Sequence, residues 1–234
     1  MKAILLAAGY GSRLRPLTDK IPKCLVPLGN KPLLYYWLDK LSAAGITKVL
    51  INTHYLADQV NESIAKYIGS SNLKICVIYE KILYGTAGTL LHNIDFLEEN
   101  DCILIHADNF MVESLDGLLN AHNNRPKFCD MTMLNFITDR PAECGIVELS
   151  SDRVVRGFYE KTENNKGNVA NAAVYVISKN LIKEIVNEPV QDFSKEVITK
   201  YIGKIYTYLT KDYFKDIGTL ESYKEACEYN VDSN

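Results

Sequence analysis

The stretch from Gly9 to Leu28, "GYGSRLRPLTDKIPKCLVPL", gathers the residue types that handle phosphate. Gly9 and Gly11 let the backbone approach a ligand closely and adopt dihedrals denied to other residues. Amide groups of such a loop can point at phosphate oxygens. Arg13, Arg15 and Lys23 add positive charge, and Pro16, Pro22 and Pro27 keep the stretch out of a continuous helix. Two common phosphate loops are excluded. G-x-x-x-x-G-K-[ST] is absent, and Gly9-x-Gly11 lacks the third glycine of the dinucleotide fingerprint, Leu14 standing in its place. Asp108 follows the apolar run "CILIHA" and is well placed to hold magnesium, which takes oxygen ligands and binds triphosphates with only one or two protein carboxylates. An ordinary loop-starting aspartate is the competing explanation. Asp216 opens "DIGT", in a loop that approaches a helix.

The elements that must position these residues alternate in type. Ala3–Ala7 reads as a buried strand from its unbroken apolar run. A helix is expected over Pro32–Ala44, with proline near its start and Gly45 just past its end. Lys48–Asn52 is the next strand, and Leu56, Val60, Ile64 and Ile68 recur every fourth residue as the apolar face of a helix. Leu73–Tyr79 is expected to be a strand, Thr86–Leu97 a helix with Thr86 as its N-cap, and Cys102–His106 a strand. Helical pattern returns over Glu113–His122. Strands are then expected over Met131–Ile137, Gly145–Leu149, Val154–Tyr159 and Ala172–Ile177, and helices over Leu181–Val186 and Leu220–Tyr229, the last capped by Thr219. Repeated strand–helix–strand order implies a parallel sheet covered on both faces. Ligands of such sheets bind beyond the carboxyl ends of the strands, where Gly9–Arg15 and Asp108 both fall.

Composition narrows the function classes. The chain has 234 residues, 47% of them apolar and 24% charged, and a net charge of −3. That is ordinary globular composition, enough for one large domain, and it excludes a broad nucleic-acid footprint. The apolar runs are too short to span a bilayer, and Gly9 to Arg15 interrupts the N-terminal run at once, against a signal peptide. The six cysteines form no C-x-x-C pair and no zinc spacing, so a reducing cytoplasm is expected. The four histidines also lack ligand spacing, and packing or surface roles are expected for them. Tyr35, Tyr36 and Trp37 lie on an expected helix and are read as packing residues rather than a base-stacking platform.

The stretch "LAAGYGSRLRPLTDKIPKCLVPLGNKPLL" resembles the signature of the sugar-1-phosphate nucleotidylyltransferases, G-x-G-x-R-L-x-P-L-T followed by P-K-x-L-x-P. The resemblance covers most of residues 1–228. It implies a Rossmann-like, three-layer α/β sandwich with a mostly parallel central sheet and a smaller mixed-sheet acceptor subregion. The chain would be one domain over 1–234, with a nucleotide-binding half over about 1–125 and a sugar-phosphate-binding half over about 126–234. Leu6, Ala7, Ala8, Gly9, Gly11, Ser12 and Arg13 would line the nucleoside triphosphate, with Arg13 on the β- and γ-phosphates that leave as pyrophosphate and Lys23 on those around the reacting centre. In "YEKILYGTAGTL", Gly85, Thr86, Ala87 and Gly88 would line base and ribose, and Glu80 would lie near the base.

By the same resemblance Asp108 and Asp216 would hold Mg2+. The family usually has glycine before the first of these aspartates; here it is Ala107. "CGIVEL", "FYEKTEN" and "NAAVYVIS" match the acceptor elements, which would put Gly145, Glu160 and Asn171 on sugar hydroxyls and Lys161 on the sugar phosphate. "DFSKEVI" also matches and is read as structural. The form of these motifs is closest to the mannose-type guanylyltransferases, so GTP with mannose or manno-heptose 1-phosphate is the expected pair. The "ADN" at Ala107–Asn109 is similar to the choline-phosphate cytidylyltransferases, which keeps phosphocholine open as acceptor. A non-catalytic sugar-nucleotide sensor on the same fold is the alternative of another class. No nucleic acid, no membrane and no second acyltransferase domain of the left-handed β-helix kind are expected, and a homodimer is compatible with this reading.

Overall fold

The computed structural model describes residues 1–69, 71–162 and 167–232. It is a mixed α/β fold with a large, mostly parallel central sheet and two small antiparallel pairs. The chain groups into two compact units, each discontinuous in sequence. One comprises Lys2–Leu83, Ile105–Ser114 and Tyr213–Asn234; the other comprises Met1, Tyr84–Leu104 and Leu115–Asp212. Among the described residues no helix is long and apolar enough to cross a membrane.

The first unit carries parallel strands Lys2–Leu6, Lys48–Thr53 and Lys74–Tyr79, in register Ala3 with Val49, Leu6 with Asn52 and Asn52 with Ile78. Helix Leu33–Ala43 buries Leu33, Leu34, Trp37, Leu38 and Leu41 on one face. It ends where Gly45, at φ 74°, lets the amide of Ile46 reach back to the Leu41 carbonyl at 3.0 Å. Trp37 packs as the sequence suggests, its indole donating to the Asn109 carbonyl at 2.7 Å. Helix Ala57–Ile68 corrects its expected face. Val60, Ile64 and Tyr67 are buried, whereas Ile68 is exposed, because fourth-residue steps drift around a helix of 3.6 residues per turn and a seven-residue step returns to the face.

Asn109–Met111 and Phe214–Asp216 form an antiparallel pair with Asp216 opposite Asn109. The amide of Ile217 donates to the Asp108 carbonyl at 3.1 Å. This pairing brings the two distant aspartate segments side by side. Leu14, Val26 and Leu28 from the first loop join Leu33, Phe110, Ile217 and Ala226 in one buried cluster. The loop is therefore anchored by its own apolar residues to the strand pair and to the last helix, Leu220–Asp232. Thr219 caps that helix as expected, accepting from the Ser222 amide at 3.2 Å while its own amide donates to Ser222 Oγ at 3.0 Å.

In the second unit Met131–Ile137 and Val169–Ile177 pair antiparallel, with a bulge between Asn171 and Tyr175. Gly145–Leu149 pairs antiparallel with Val155–Glu160. Ile205–Leu209, which the sequence reading left unassigned, adds a strand parallel to Met131–Ile137. The helix expected over Thr86–Leu97 is two helices, Thr86–His92 and Ile94–Leu97. The break falls at Asn93, whose side-chain amide takes the Thr89 carbonyl at 2.8 Å in place of a continuing turn. The expected Glu113–His122 helix begins only at Asp116 and runs to Asn123.

Candidate functional site

Local chemistry shapes the first loop. It contains three short helical turns, Ser12–Leu14, Leu17–Asp19 and Lys23–Leu25, each preceded by a glycine or a proline. Gly11 sits at φ 63°, and a Cβ there would stand 3.0 Å from both Lys23 Cβ and Thr18 Cγ2. Glycine is needed at Gly11 on both counts. Thr18 Oγ1 donates to the Gly11 carbonyl at 2.8 Å and ties the loop to itself. Gly9, Ser12 and Arg13 are exposed, while Ala7 and Ala8 are buried. Arg15 is spent on a surface pair with Asp19 at 3.1 Å.

Lys23 is the centre of the charged group. Its ammonium donates to Asp108 Oδ2 at 2.6 Å and lies 3.9 Å from Asp216 Oδ1. The lysine side chain is 11% exposed, against 34% for Asp108 and 51% for Asp216. Burial pushes the Asp108 carboxyl up, but the Lys23 ammonium, and then His106, bring it below the usual carboxylate range. Asp108 is therefore an anion at neutral pH. Gly218 lies between Arg13 and Asp216: a Cβ there would stand 3.2 Å from Arg13 Nη2 and 3.3 Å from Asp216 Oδ2. The structure thus brings Arg13, Lys23, Asp108 and Asp216 together within one unit.

Among the described residues no group of three or more His, Cys, Asp or Glu side chains could hold a metal. The donor set at this position is two carboxylates around a cationic group. Such a pair fits magnesium shared with substrate phosphates rather than a metal held by protein alone. The Lys23 ammonium lies within 4 Å of both carboxylates.

The end of strand Lys48–Thr53 carries a residue that sequence reasoning passed over. Asn52 Oδ1 accepts from the Ala7 amide at 2.7 Å, and Asn52 Nδ2 donates to Glu80 Oε1 at 3.0 Å. Glu80 is 1% exposed, so its carboxylate acts inside the fold and holds Asn52, which in turn fixes the start of the glycine loop. The signal was a polar residue closing the buried run "KVLIN". Tyr10 was passed over as well, and His54, expected to have a packing or surface role, is its partner. The Tyr10 hydroxyl meets His54 Nε2 at 2.7 Å, and His54 Nδ1 meets the Glu80 carbonyl at 2.7 Å. A carbonyl only accepts, so His54 Nδ1 carries a proton and donates to it.

In the second unit, "GTAG" opens helix Thr86–His92 with Gly85, not Thr86, at the N-cap position. Thr86 instead accepts from the Phe193 amide at 2.7 Å. The amides of Ala87 and Gly88 donate to the Gln191 carbonyl at 2.8 and 3.3 Å. Gly85, at φ 81°, leaves room for that carbonyl, which a Cβ would approach to 2.5 Å. The helix start is thus capped by the chain's own backbone, and the segment Asp192–Ile198 that follows holds it, in keeping with a structural role.

Gly145, Glu160 and Lys161 also converge. A Cβ on Gly145 would lie 2.8 Å from Glu160 Oε2 and 2.7 Å from Phe158 Cζ. Burial pushes the Glu160 carboxyl up, with Asp192 adding to the effect against Lys161 and Lys195. Lys161 sits at φ 46°, its amide on the Cys144 carbonyl at 3.1 Å and its ammonium 3.9 Å from Glu160 Oε1. Asn171 is turned to the bulge of its strand, accepting from the Ala173 amide at 2.9 Å and donating to the Tyr175 hydroxyl at 2.7 Å. Glu163 and Asn164 of "FYEKTEN" lie outside the described residues.

Comparison with known proteins identifies the family. A family model described as nucleotidyl transferase matches residues 2–232. Mannose-1-phosphate guanyltransferase beta-B of Xenopus laevis is 29% identical over 224 residues, which are 93% of this chain and 61% of that protein. Glucose-1-phosphate thymidylyltransferase of Streptomyces griseus is 37% identical over 180 residues, 76% of this chain and 49% of that protein. The chain thus spans about three fifths or less of the length of these curated relatives. Among solved structures, HddC from Yersinia pseudotuberculosis complexed with GMP-PN superposes with a TM-score of 0.81 at 26% identity, covering 97% of this chain and 98% of that one. A putative glucose-1-phosphate thymidylyltransferase from Bacillus anthracis in complex with a sucrose has a TM-score of 0.86 at 22% identity, covering 100% and 96%, and supports the fold.

Proposed function

Because the chain belongs to the nucleotidyl transferase family, we propose that it makes a sugar nucleotide and pyrophosphate from a nucleoside triphosphate and a sugar 1-phosphate. GTP with mannose or manno-heptose 1-phosphate is the preferred pair. The guanyltransferase name of one relative and the GMP-PN in the HddC structure favour guanine. The observation that carries the reading is Lys23 set against Asp108 and Asp216, with Arg13 beside Asp216.

An oxygen of the sugar 1-phosphate attacks the α-phosphorus, the α–β bridging bond breaks and pyrophosphate leaves in line. The attacking oxygen is already ionised at neutral pH, so no side-chain nucleophile is needed. The obstacle is repulsion between two anions, and positioning with cationic stabilisation must overcome it. Arg13 holds the phosphates that depart. Lys23 neutralises charge around the reacting centre. Lys161 receives the sugar phosphate, while Gly145 and Glu160 meet the sugar hydroxyls and Asn171 adds a further contact. Asn52 and Glu80 keep the strand end before Gly9 in place. Magnesium, when held by Asp108 and Asp216, supplies further neutralisation of the triphosphate.

Four nucleoside triphosphates set against mannose, manno-heptose and glucose 1-phosphates and phosphocholine, read by pyrophosphate release, test the proposal. GTP with a manno-configured sugar phosphate is expected to be fastest. The thymidylyltransferase relative makes dTTP with glucose 1-phosphate the second pair to watch. No release with any pair removes the catalytic reading and leaves a sensor.

A further inference from the structure

We infer that Lys23 guards Asp108 and Asp216 against divalent cations until a triphosphate draws its ammonium away. The inference rests on the proposal that these two carboxylates receive magnesium. Lys23 Nζ is 2.6 Å from Asp108 Oδ2 and 3.9 Å from Asp216 Oδ1, so a protein-borne cation already stands between the two ligands. It is not a roaming surface charge. The side chain is 11% exposed, and its stem packs over Gly11, where a Cβ would come within 3.0 Å of Lys23 Cβ.

A divalent cation arriving alone meets like charge at contact distance and must displace it without new partners to offer. A triphosphate changes this balance. Its oxygens accept the lysine ammonium, so Lys23 exchanges carboxylate for phosphate and leaves the two aspartates uncompensated at the moment the metal–triphosphate pair needs them. Metal and nucleotide then bind with positive coupling, and by linkage each strengthens the other equally. The device keeps the two aspartates from trapping metal before substrate is present.

Manganese binding followed by electron paramagnetic resonance, with no nucleotide present, tests this directly. Lys23→Met is expected to bind Mn2+ about tenfold tighter than the wild type, as removal of one like charge at this range allows. Addition of α,β-methylene GTP or α,β-methylene dTTP should strengthen binding in the wild type far more than in the variant. Equal or weaker Mn2+ binding by a folded Lys23→Met protein overturns the guard while leaving the two-carboxylate site standing. If the wild type binds no Mn2+ even with either analogue, the metal proposal itself falls, and the guard with it. Should Lys23→Met not fold, the wild type still decides. Magnesium alone should leave its melting temperature unchanged and raise it only with an analogue. An equal rise without the analogue contradicts the guard.

Discussion

Lys23 and Asp108 are where a single atom matters most. Lys23→Ala should lower kcat by about two to three orders of magnitude, the scale on which loss of one preorganised donor acts. Near wild-type turnover in the purified variant would contradict its role. His122 offers a prediction independent of catalysis. It is 1% exposed, with Nδ1 3.0 Å from the Thr132 hydroxyl and Nε2 3.9 Å from Asp101 Oδ2. Burial holds its imidazole below the usual range; Arg125 acts in the same sense and Asp101 opposes. The unfolded chain therefore binds a proton more readily than the fold. This contribution to stability is fully present above the unfolded value of about 6.5 and is lost as pH falls from there toward the folded value. Urea midpoints measured between pH 7.5 and pH 5 should fall more steeply in the wild type than in His122→Gln. Parallel slopes would remove His122 as the cause. Arg13, Lys23 and Asp108 were legible because they sit in a proline-bound loop or follow a buried strand, whereas Asp216 was legible only through the resemblance of its D-x-G-T segment. Asn52, Tyr10 and His54 were not, because one polar residue at a strand end is commonplace and its partners are set only by folding.

The first loop, the strand pair Asn109–Met111 with Phe214–Asp216, and the last helix share one apolar cluster, and the alignment of the charges depends on it. Leu14→Ala should cost about 2–5 kcal/mol of stability, the usual penalty for emptying a packed leucine site. It should also lower kcat at temperatures where the protein stays folded, because Leu14 stands next to Arg13. A destabilised variant with unchanged kcat would separate the cluster from the site. Thr219→Ala should cost about 1 kcal/mol through loss of the helix cap, read by chemical denaturation. An unchanged denaturation midpoint would show that Ser222 caps the helix adequately without it. Strands and helices with long apolar periods were legible. The break at Asn93 was not, because the apolar period runs through it and only the side-chain bond to Thr89 diverts the turn. Ile205–Leu209 went unassigned although Ile205, Tyr206 and Thr207 are buried, since its pairing partner, Met131–Ile137, is remote in sequence.

Each of the two compact units is discontinuous in sequence, and Tyr213–Asn234 groups with the unit that begins at Lys2. That segment supplies Asp216, and no local pattern announces it. The central claim is that Arg13, Lys23 and the aspartate pair neutralise a triphosphate so that a second anion can attack it. The most direct measurement is kcat/KM for pyrophosphate release as a function of Mg2+ in the wild type and in Asp108→Asn, using the fastest substrate pair. The account predicts that a chelator abolishes release by the wild type, that Mg2+ restores it, and that the variant requires far more Mg2+ for far less activity. Superimposable titrations for the two proteins, or release that persists in chelator, would contradict it.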